Sequence, residues 1–345
     1  MHGLERPSPD NPPSLLRAIC WSIVPLLLIW WNQMFLVLGI AGLPSTWWDV
    51  LTVDLNLDGL LQESPSSLTS FISVFGTVLA FVRPTFPGRS PELLRTLFPV
   101  VAWFFFSDEA TVTGDPIDVD SPESFFYING ICTTRRMASD TGKELSQMFG
   151  RPVTVVHNPT DSMLIDIVEC IFGKLWIGEA FATSEPCTLL VDALVEALTI
   201  PTKTKVVLIA HSQGTIIAGD ADNDVDLRHL FTFSKKQEVM NKLEIYNVAN
   251  AAHWMKQTPD GFPYIESICN QRDTVGMLGA NAPDNVKSLW NIGIAGPLIS
   301  PTTSRWGHMI GAHYLKYLKQ GDYPDSRLHD YMLNKTIAPE DIGRS

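Results

Sequence analysis

The chain has 345 residues, of which 45% are hydrophobic and 18% are charged, and its formal net charge is −12. This length allows one large domain with an N-terminal extension, and the acidic balance argues against a nucleic-acid partner. The five cysteines form no C-x-x-C pair and no cluster with histidine, which argues against a disulfide framework and against a structural zinc site.

Two long uncharged runs dominate the N-terminal third of the chain. Residues 1–17 are polar and rich in proline and predict a flexible tail, but residues 18–48 contain no charged side chain. A bilayer span needs roughly 20 mostly apolar residues, so this run is long enough to cross a membrane. A second uncharged run covers residues 64–82. We expect residues 18–110 to form an apolar helical region associated with a membrane. The alternative is that these helices pack on the following domain or form a lid over it.

The charges that flank these runs predict their orientation. Arg6 and Arg17 precede the first run, three arginines follow the second run within residues 83–95, and the segment between them holds only acidic charges. Basic residues prefer the cytoplasmic side of a membrane. The pattern therefore favours a hairpin that leaves the tail and the C-terminal domain in the cytosol, where unpaired cysteines stay reduced. The alternative is a single signal anchor, formed by the first run alone, that places the C-terminal domain in the lumen.

Strand and helix patterns alternate from about residue 120 to residue 320, and residues 321–345 are predicted to be a C-terminal tail. Short apolar runs predict strands, and apolar residues at helical spacing predict helices. Such alternation is typical of an α/β domain with a mostly parallel central sheet. The predicted strands are 125–129, 153–156, 206–209, 243–249, 264–269 and 288–294, and the predicted helices are 135–149, 163–175, 187–198 and 309–318.

The most informative motif is Ala-His-Ser-Gln-Gly at residues 210–214, between a strand pattern and a helix pattern. A serine at such a sharp corner has a strained backbone and an exposed Oγ, and the residues two positions before and after it must be small. Ala210 and Gly214 meet this need. The helix N-terminus behind Ser212 favours developing negative charge. The pattern predicts a nucleophile elbow; the alternative is a buried structural serine at a strand end.

With this elbow and the alternating strands and helices, residues 120–320 resemble the α/β-hydrolase superfamily. Within it, the chain is similar to lipase/esterase-like serine hydrolases, including uncharacterised fungal members. The resemblance implies an α/β-hydrolase fold in which the nucleophilic serine is followed along the chain by an acid and then by a histidine. The acid usually sits after a late strand, and the histidine after the last one.

Two residues match these partner positions. Asp273 follows the strand predicted at 264–269 and matches the acid, with Asp260 as the alternative. His308 lies on the loop before the last predicted helix and matches the base. The alternative base is His313, which the sequence places inside that helix and therefore on a different face.

The resemblance also implies two backbone N–H donors for the oxyanion that forms during acyl transfer. One is Gln213, the residue after the serine. The other comes from the loop after the first predicted strand, where many relatives carry His-Gly and this chain carries Asn129-Gly130. That donor would be Ile131 or Cys132.

Three further histidines could lie near such a site. His211 is next to the serine in sequence, but the turn is expected to direct it away. His157 and His253 could line a pocket, although a hydrogen-bonded structural histidine is the commoner case.

Together these assignments predict a serine hydrolase that cleaves a carboxylic ester through Ser212, His308 and Asp273 and an acyl-enzyme. No metal or organic cofactor is expected. The apolar composition and the membrane-like N-terminus suggest a lipid-like ester as the substrate. The alternative from another functional class is a catalytically idle member of the fold that acts as a membrane-tethered scaffold or binding protein.

Overall fold

The computed structural model describes residues 96–97 and 109–332, with gaps at 116, 132, 134, 160–183, 224–237, 258–262, 274, 285–286, 289–290 and 306. The two uncharged N-terminal runs, the helix predicted at 163–175, Cys132 and Asp260 lie outside the described residues. Within the described part of the chain, no helix combines the length and the apolar character that a bilayer crossing requires.

The described residues form an α/β structure around a seven-stranded sheet with the strand order β1-β3-β2-β4-β5-β7-β9. All neighbouring strands are parallel except β1, which is antiparallel to β3. This confirms the predicted α/β class with a mostly parallel sheet. The strands are β1 (Thr111–Thr113), β2 (Glu123–Ile128), β3 (Val153–His157), β4 (Lys205–His211), β5 (Leu243–Val248), β6 (Trp254–Met255), β7 (Tyr264–Ile268), β8 (Gly293–Ile294) and β9 (Leu298–Ile299). The helices are α1 (Arg135–Phe149), α2 (Glu185–Thr199), α3 (Gln213–Asn223) and α4 (Lys316–Lys319), with a π-helical turn at Ile310–Leu315 and 3₁₀ turns at Gly276–Leu278 and Arg327–Tyr331.

The central strand β4 explains why the sheet is covered on both faces. Val206 and Leu208 contribute to one hydrophobic cluster, with α2 and α3, whereas Val207 and Ile209 contribute to a second cluster, with α1 and the turn before α4. Successive side chains of a strand point to opposite faces, so a strand buried on both sides reads as a continuous apolar run. The sheet is therefore the middle layer between two sets of helices.

The order of the strands reverses between β2 and β4, which makes the carboxyl edge of the sheet at these two strands a topological switch point. From β2 the chain moves outward to β3 on one side, whereas from β4 it moves to β5, β7 and β9 on the other side. Loops after adjacent strands that diverge in this way leave a gap between them, which is where ligands bind in open α/β sheets. The loops after β2 and β4 meet at this point.

Two predicted elements differ from those observed. Of the strand predicted at 288–294, the described residues that form a strand are Gly293–Ile294, which pairs with β6 in a separate two-stranded sheet. Gly293 packs against the Trp254 ring so closely that a Cβ would lie 2.4 Å from it. The helix predicted at 309–318 begins as a wide π-helical turn and becomes α-helical only at Lys316. The sheet also includes β1, which lies before the predicted domain start at residue 120.

Candidate active site

Ser212 occupies the corner between β4 and α3 in a strained backbone conformation. Its φ is +56°, in the left-handed region that residues other than glycine rarely adopt. Such strain persists only where the surrounding structure enforces it. The loop after β2 packs directly on this corner: a Cβ on Gly130 would lie 2.4 Å from Ser212 Cβ, and one on Gly214 would lie 2.7 Å from the Ile128 carbonyl oxygen. The elbow predicted from residue sizes therefore has its physical cause in this close approach.

His308 bridges Ser212 and Asp273. Its Nε2 lies 2.8 Å from Ser212 Oγ, and its Nδ1 lies 3.0 Å from Asp273 Oδ1 and 3.1 Å from Oδ2. A carboxylate only accepts hydrogen bonds, so these partners favour the tautomer with a proton on Nδ1 and an unprotonated Nε2 that accepts from Ser212 Oγ. Asp273 follows β7, and His308 follows β9. The structure thus brings the three residues selected from the sequence into one chain of hydrogen bonds.

Asp273 is fully buried and surrounded by donors. The backbone N–H groups of Val275 and Gly276 donate to Oδ1 at 2.8 Å and 3.1 Å, and the Tyr314 hydroxyl donates to Oδ2 at 2.5 Å. Burial alone raises the pKa of Asp273, but His308 and these hydrogen bonds outweigh it and hold the pKa below its ordinary value. The carboxylate is therefore ionised at neutral pH and can stabilise an imidazolium at His308.

His211 contacts the base loop rather than the serine. Its Nε2 donates to the His308 carbonyl oxygen at 2.8 Å, and the two imidazole rings lie 4.9 Å apart between centroids. Burial and the nearby His308 lower the pKa of His211 to about 3, so the ring is neutral at neutral pH. The sequence analysis predicted that this side chain points away from the nucleophile. It did not predict the contact of His211 with the loop that carries His308.

His313 packs under the same loop and has a different role in the geometry from His308. Its Nδ1 accepts the Met309 N–H at 3.0 Å, and its ring lies so close to Gly307 that a Cβ there would be 2.5 Å away. Gly307 has a φ of +98°. Burial and His308 lower the pKa of His313 to about 4. Of the two candidate bases, His308 is the one placed between Ser212 and Asp273.

The loop after β2 contacts the corner at Ser212. Gln213 opens α3, where the backbone N–H groups of the first turn have no intrahelical acceptor, and Ile131 is half-buried in the facing loop. Asn129 is fully buried and ties this loop to the next one: its Nδ2 donates to the Gly130 and Asn158 carbonyl oxygens at 2.9 Å and 2.8 Å. The two predicted oxyanion donors therefore belong to adjacent elements whose loops touch at the corner.

Asn270 is a buried connector that the sequence did not reveal. Its Nδ2 donates to the Gly307 and His313 carbonyl oxygens, both at 3.0 Å, and its Oδ1 accepts from the Tyr323 hydroxyl at 2.7 Å. Its backbone N–H donates to the Tyr314 hydroxyl at 3.0 Å. One residue at the end of β7 therefore joins the acid loop to the base loop. A polar residue just after a strand is too common a pattern to identify such a role.

His157 and His253, the other two histidines that the sequence suggested could line a pocket, make contacts with backbone groups. His157 ends β3, is buried, and places its Nε2 3.2 Å from the Thr133 carbonyl oxygen. His253 is half-buried, and its carbonyl oxygen accepts the Gly293 N–H at 2.7 Å. Both contacts are hydrogen bonds that join one segment of the chain to another. Among the described residues, no group of histidine, cysteine, aspartate and glutamate side chains is arranged to hold a metal ion.

Comparison with known proteins adds no identification. No protein-family model matches the chain, and no curated protein matches it either. Any function must therefore be argued from the site itself.

Proposed function

We propose that this protein is a serine hydrolase of the α/β-hydrolase superfamily that cleaves a carboxylic ester. The observation that supports this most strongly is the chain Ser212–His308–Asp273, with distances of 2.8 Å and 3.0 Å, built on a serine whose backbone is strained. A buried structural serine needs neither a positive φ nor a histidine aligned with a buried carboxylate. The order of these residues along the chain also agrees with the order that the resemblance implies.

In the proposed reaction, Ser212 Oγ bonds to the ester carbonyl carbon while its proton passes to His308 Nε2. The carbonyl oxygen becomes an oxyanion, for which the N–H groups of Gln213 and Ile131 are the proposed donors. The tetrahedral intermediate collapses, the C–O bond to the alcohol breaks, and His308 returns the proton to the departing alkoxide. Asp273 stays ionised and stabilises the imidazolium during both transfers.

The second half of the proposed cycle regenerates the serine. A water molecule gives its proton to His308 Nε2 and attacks the acyl carbon, and collapse of the second intermediate releases the carboxylic acid as the proton returns to Ser212 Oγ. The proposal routes no step through a metal or an organic cofactor. The uncharged N-terminal runs favour a lipid-like ester as the substrate.

A fluorophosphonate probe tests the proposed nucleophile. Such a probe reacts with activated serines, so the full-length chain should be labelled and the Ser212→Ala variant should not. Equal labelling of the two proteins would reject Ser212 as the nucleophile. An unlabelled wild-type protein that is correctly folded would favour the alternative of an idle, membrane-tethered scaffold.

We also propose that residues 18–82 anchor the protein as a membrane hairpin, with the hydrolase domain in the cytosol. The flanking arginines and the absence of basic residues between them support this arrangement. Protease added to sealed microsomes should digest the C-terminal domain, and Asn334 in the sequon Asn334-Lys335-Thr336 should carry no glycan. Protection from protease, or a glycan at Asn334, would favour the luminal alternative instead.

A further inference from the structure

Tyr314 donates a hydrogen bond to the same carboxylate that orients His308. Its hydroxyl lies 2.5 Å from Asp273 Oδ2, whereas the two backbone N–H donors serve the other oxygen, Oδ1. The hydroxyl itself is fixed because it accepts the Asn270 N–H at 3.0 Å. Tyr314 is 1% exposed, so water does not compete for this contact. The phenol therefore donates to Oδ2 from a position that is fixed by the surrounding residues.

We propose that Tyr314 is a positioning residue that acts through Asp273, an inference that rests on the function proposed above. Its phenol fixes Oδ2 and draws off part of the carboxylate charge, which makes Asp273 a weaker base toward the imidazole. A hydrogen bond donated to the charged form of an acid favours that form. The proton between Asp273 and His308 consequently stays on His308 Nδ1. The imidazolium formed during turnover is stabilised only moderately, so it can still return its proton to Oγ or to the leaving group.

The protonation state of the phenol is consistent with this role. Burial and the charge of Asp273 raise the pKa of Tyr314 well above its ordinary value, so the hydroxyl keeps the proton that it donates. Among the described residues, the other titratable groups around the pair include His211 from the end of β4, His313 from the π-helical turn, Cys269 just after β7, and Tyr323, whose ring stacks on Tyr314. Burial lowers the pKa of the two histidines and raises that of the thiol and of the Tyr323 phenol, so all four are neutral at neutral pH.

A second buried tyrosine provides a matched control. Tyr323 stacks on Tyr314 with ring centroids 6.2 Å apart and an interplanar angle of 11°. It is fully buried, but its hydroxyl donates to Asn270 Oδ1 at 2.7 Å rather than to the acid. Removing the Tyr323 hydroxyl disrupts its hydrogen bond to Asn270 Oδ1, whereas removing the Tyr314 hydroxyl disrupts two bonds in the same network, to Asp273 Oδ2 and from the Asn270 N–H. Only the loss of the Tyr314 hydroxyl changes the donors on Asp273.

The test is the pH profile of kcat/KM for p-nitrophenyl butyrate hydrolysis by the full-length chain. Tyr314→Phe should move the acidic limb of the profile to higher pH by about 0.5–1 unit and lower kcat by about tenfold, the size expected for one hydrogen bond to a charged group. Tyr323→Phe should lower thermal stability and leave the limb in place. Equal shifts in both variants, or no shift in Tyr314→Phe, would overturn the proposal.

A substitution that keeps the hydroxyl tests the proposal independently, in case Tyr314→Phe does not fold. Difluorotyrosine introduced at position 314 is a stronger donor of nearly the same size, so it should move the acidic limb to lower pH. A shift to higher pH, or none, would contradict the proposed role. A folded wild-type protein with no turnover and no phosphonate labelling would instead overturn the proposed function, and this inference with it.

Discussion

The sheet buries carboxylates near the carboxyl ends of its strands and also nearer to their amino ends, and the two groups have different partners. At the carboxyl edge, Asp273 is fully buried beside His308, which reaches Ser212. Glu244, near the amino end of β5, and Glu266, in the middle of β7, are buried to the same extent. Glu244 accepts from Lys205, from Arg327 at 3.1 Å, and from the Tyr246 and Tyr331 hydroxyls at 2.8 Å and 2.7 Å.

The identity of the partner makes the difference between these two regions. Lys205 and the hydroxyls of Tyr331 and Tyr246 offset the burial that raises the pKa of Glu244, so that its pKa lies below the ordinary value. No proton moves in such a cluster at neutral pH, and its effect is to bind the segment around Arg327 to the sheet. Asp273 is paired with a histidine, whose proton can move at neutral pH. In the proposed mechanism, a buried carboxylate therefore supports chemistry only where its partner titrates and contacts a nucleophile.

The two histidines of the base loop give the largest expected contrast. His308→Ala should lower kcat for ester hydrolysis by about 10⁴-fold or more, because the serine loses its proton acceptor. His313→Ala should retain kcat within about tenfold and mainly lower the urea midpoint, because it removes only a packing and hydrogen-bonding residue. Activity in His308→Ala together with a dead His313→Ala protein would mean that the two roles are exchanged.

Matched amide substitutions at the two edges of the sheet test the comparison itself. Asp273→Asn should reduce kcat by about 10⁴-fold, because the amide cannot stabilise the imidazolium or hold the same tautomer. Glu244→Gln should leave kcat unchanged and cost about 1–3 kcal/mol of unfolding free energy, because Lys205 and Arg327 lose a buried partner but remain partly exposed to water. Steady-state kinetics and urea denaturation of both variants measure the two effects. A large loss of kcat in Glu244→Gln would mean that the amino edge also serves catalysis.

A methyl group added at Gly130, beside Ser212, should have the next largest effect on kcat. Gly130→Ala should lower kcat by about 10²–10³-fold, the size of a lost oxyanion-hole donor, because its Cβ would displace either the loop after β2 or Ser212. Gly276→Ala is the control, since the nearest atom to its Cβ would lie at an ordinary contact distance of 3.5 Å. Full activity in folded Gly130→Ala would argue against an oxyanion site at this loop.

The buried histidines should make stability depend on pH. His211 and His313 have folded pKa values of about 3 and about 4, below their unfolded value of 6.5. The stability that they contribute is present above pH 6.5 and is lost as the pH falls below it, by up to about 1.4 kcal/mol per pH unit for each histidine. Urea denaturation between these pH values measures the slope.

The variant His211→Gln separates the contribution of a histidine to the pH dependence of stability from that of Glu266. Glu266 opposes the histidine effect, because burial raises its pKa and its protonation in the folded state adds stability as the pH falls. His211→Gln should therefore be compared with the wild-type protein, and it should flatten the slope by about one histidine's share. An unchanged slope would show that His211 is not held neutral in the folded protein.

The sequence indicated those parts of the site that have a local cause. The strand β4 was predictable because burial on both faces requires a continuous apolar run, and the elbow because the close approach of Gly130 and Ile128 requires small residues around Ser212. The positions of Asp273 and His308 came from the resemblance, which supplies an order along the chain that no local pattern contains.

Contacts between distant segments could not be predicted in this way. Tyr314 meets Asp273 across 41 residues, and Tyr323 meets Asn270 across 53 residues. Neither pair has a spacing that a single sequence reveals, because the first depends on how the turn before α4 packs on the end of β7 and the second on how the segment after α4 packs there. The placement of the strand predicted at 288–294 also depends on such a contact, since its described strand residues Gly293–Ile294 pair with β6 in a separate small sheet and Gly293 packs against Trp254.

The most direct test of the account is to trap the acyl-enzyme. The full-length chain is mixed with p-nitrophenyl butyrate, quenched with acid during turnover, digested and analysed by mass spectrometry. The account predicts a butyryl group on the peptide that contains Ser212, located on that serine by fragmentation and absent from the Ser212→Ala variant. A butyryl group on a different residue, or ester hydrolysis that Ser212→Ala retains in full, would contradict the central claim.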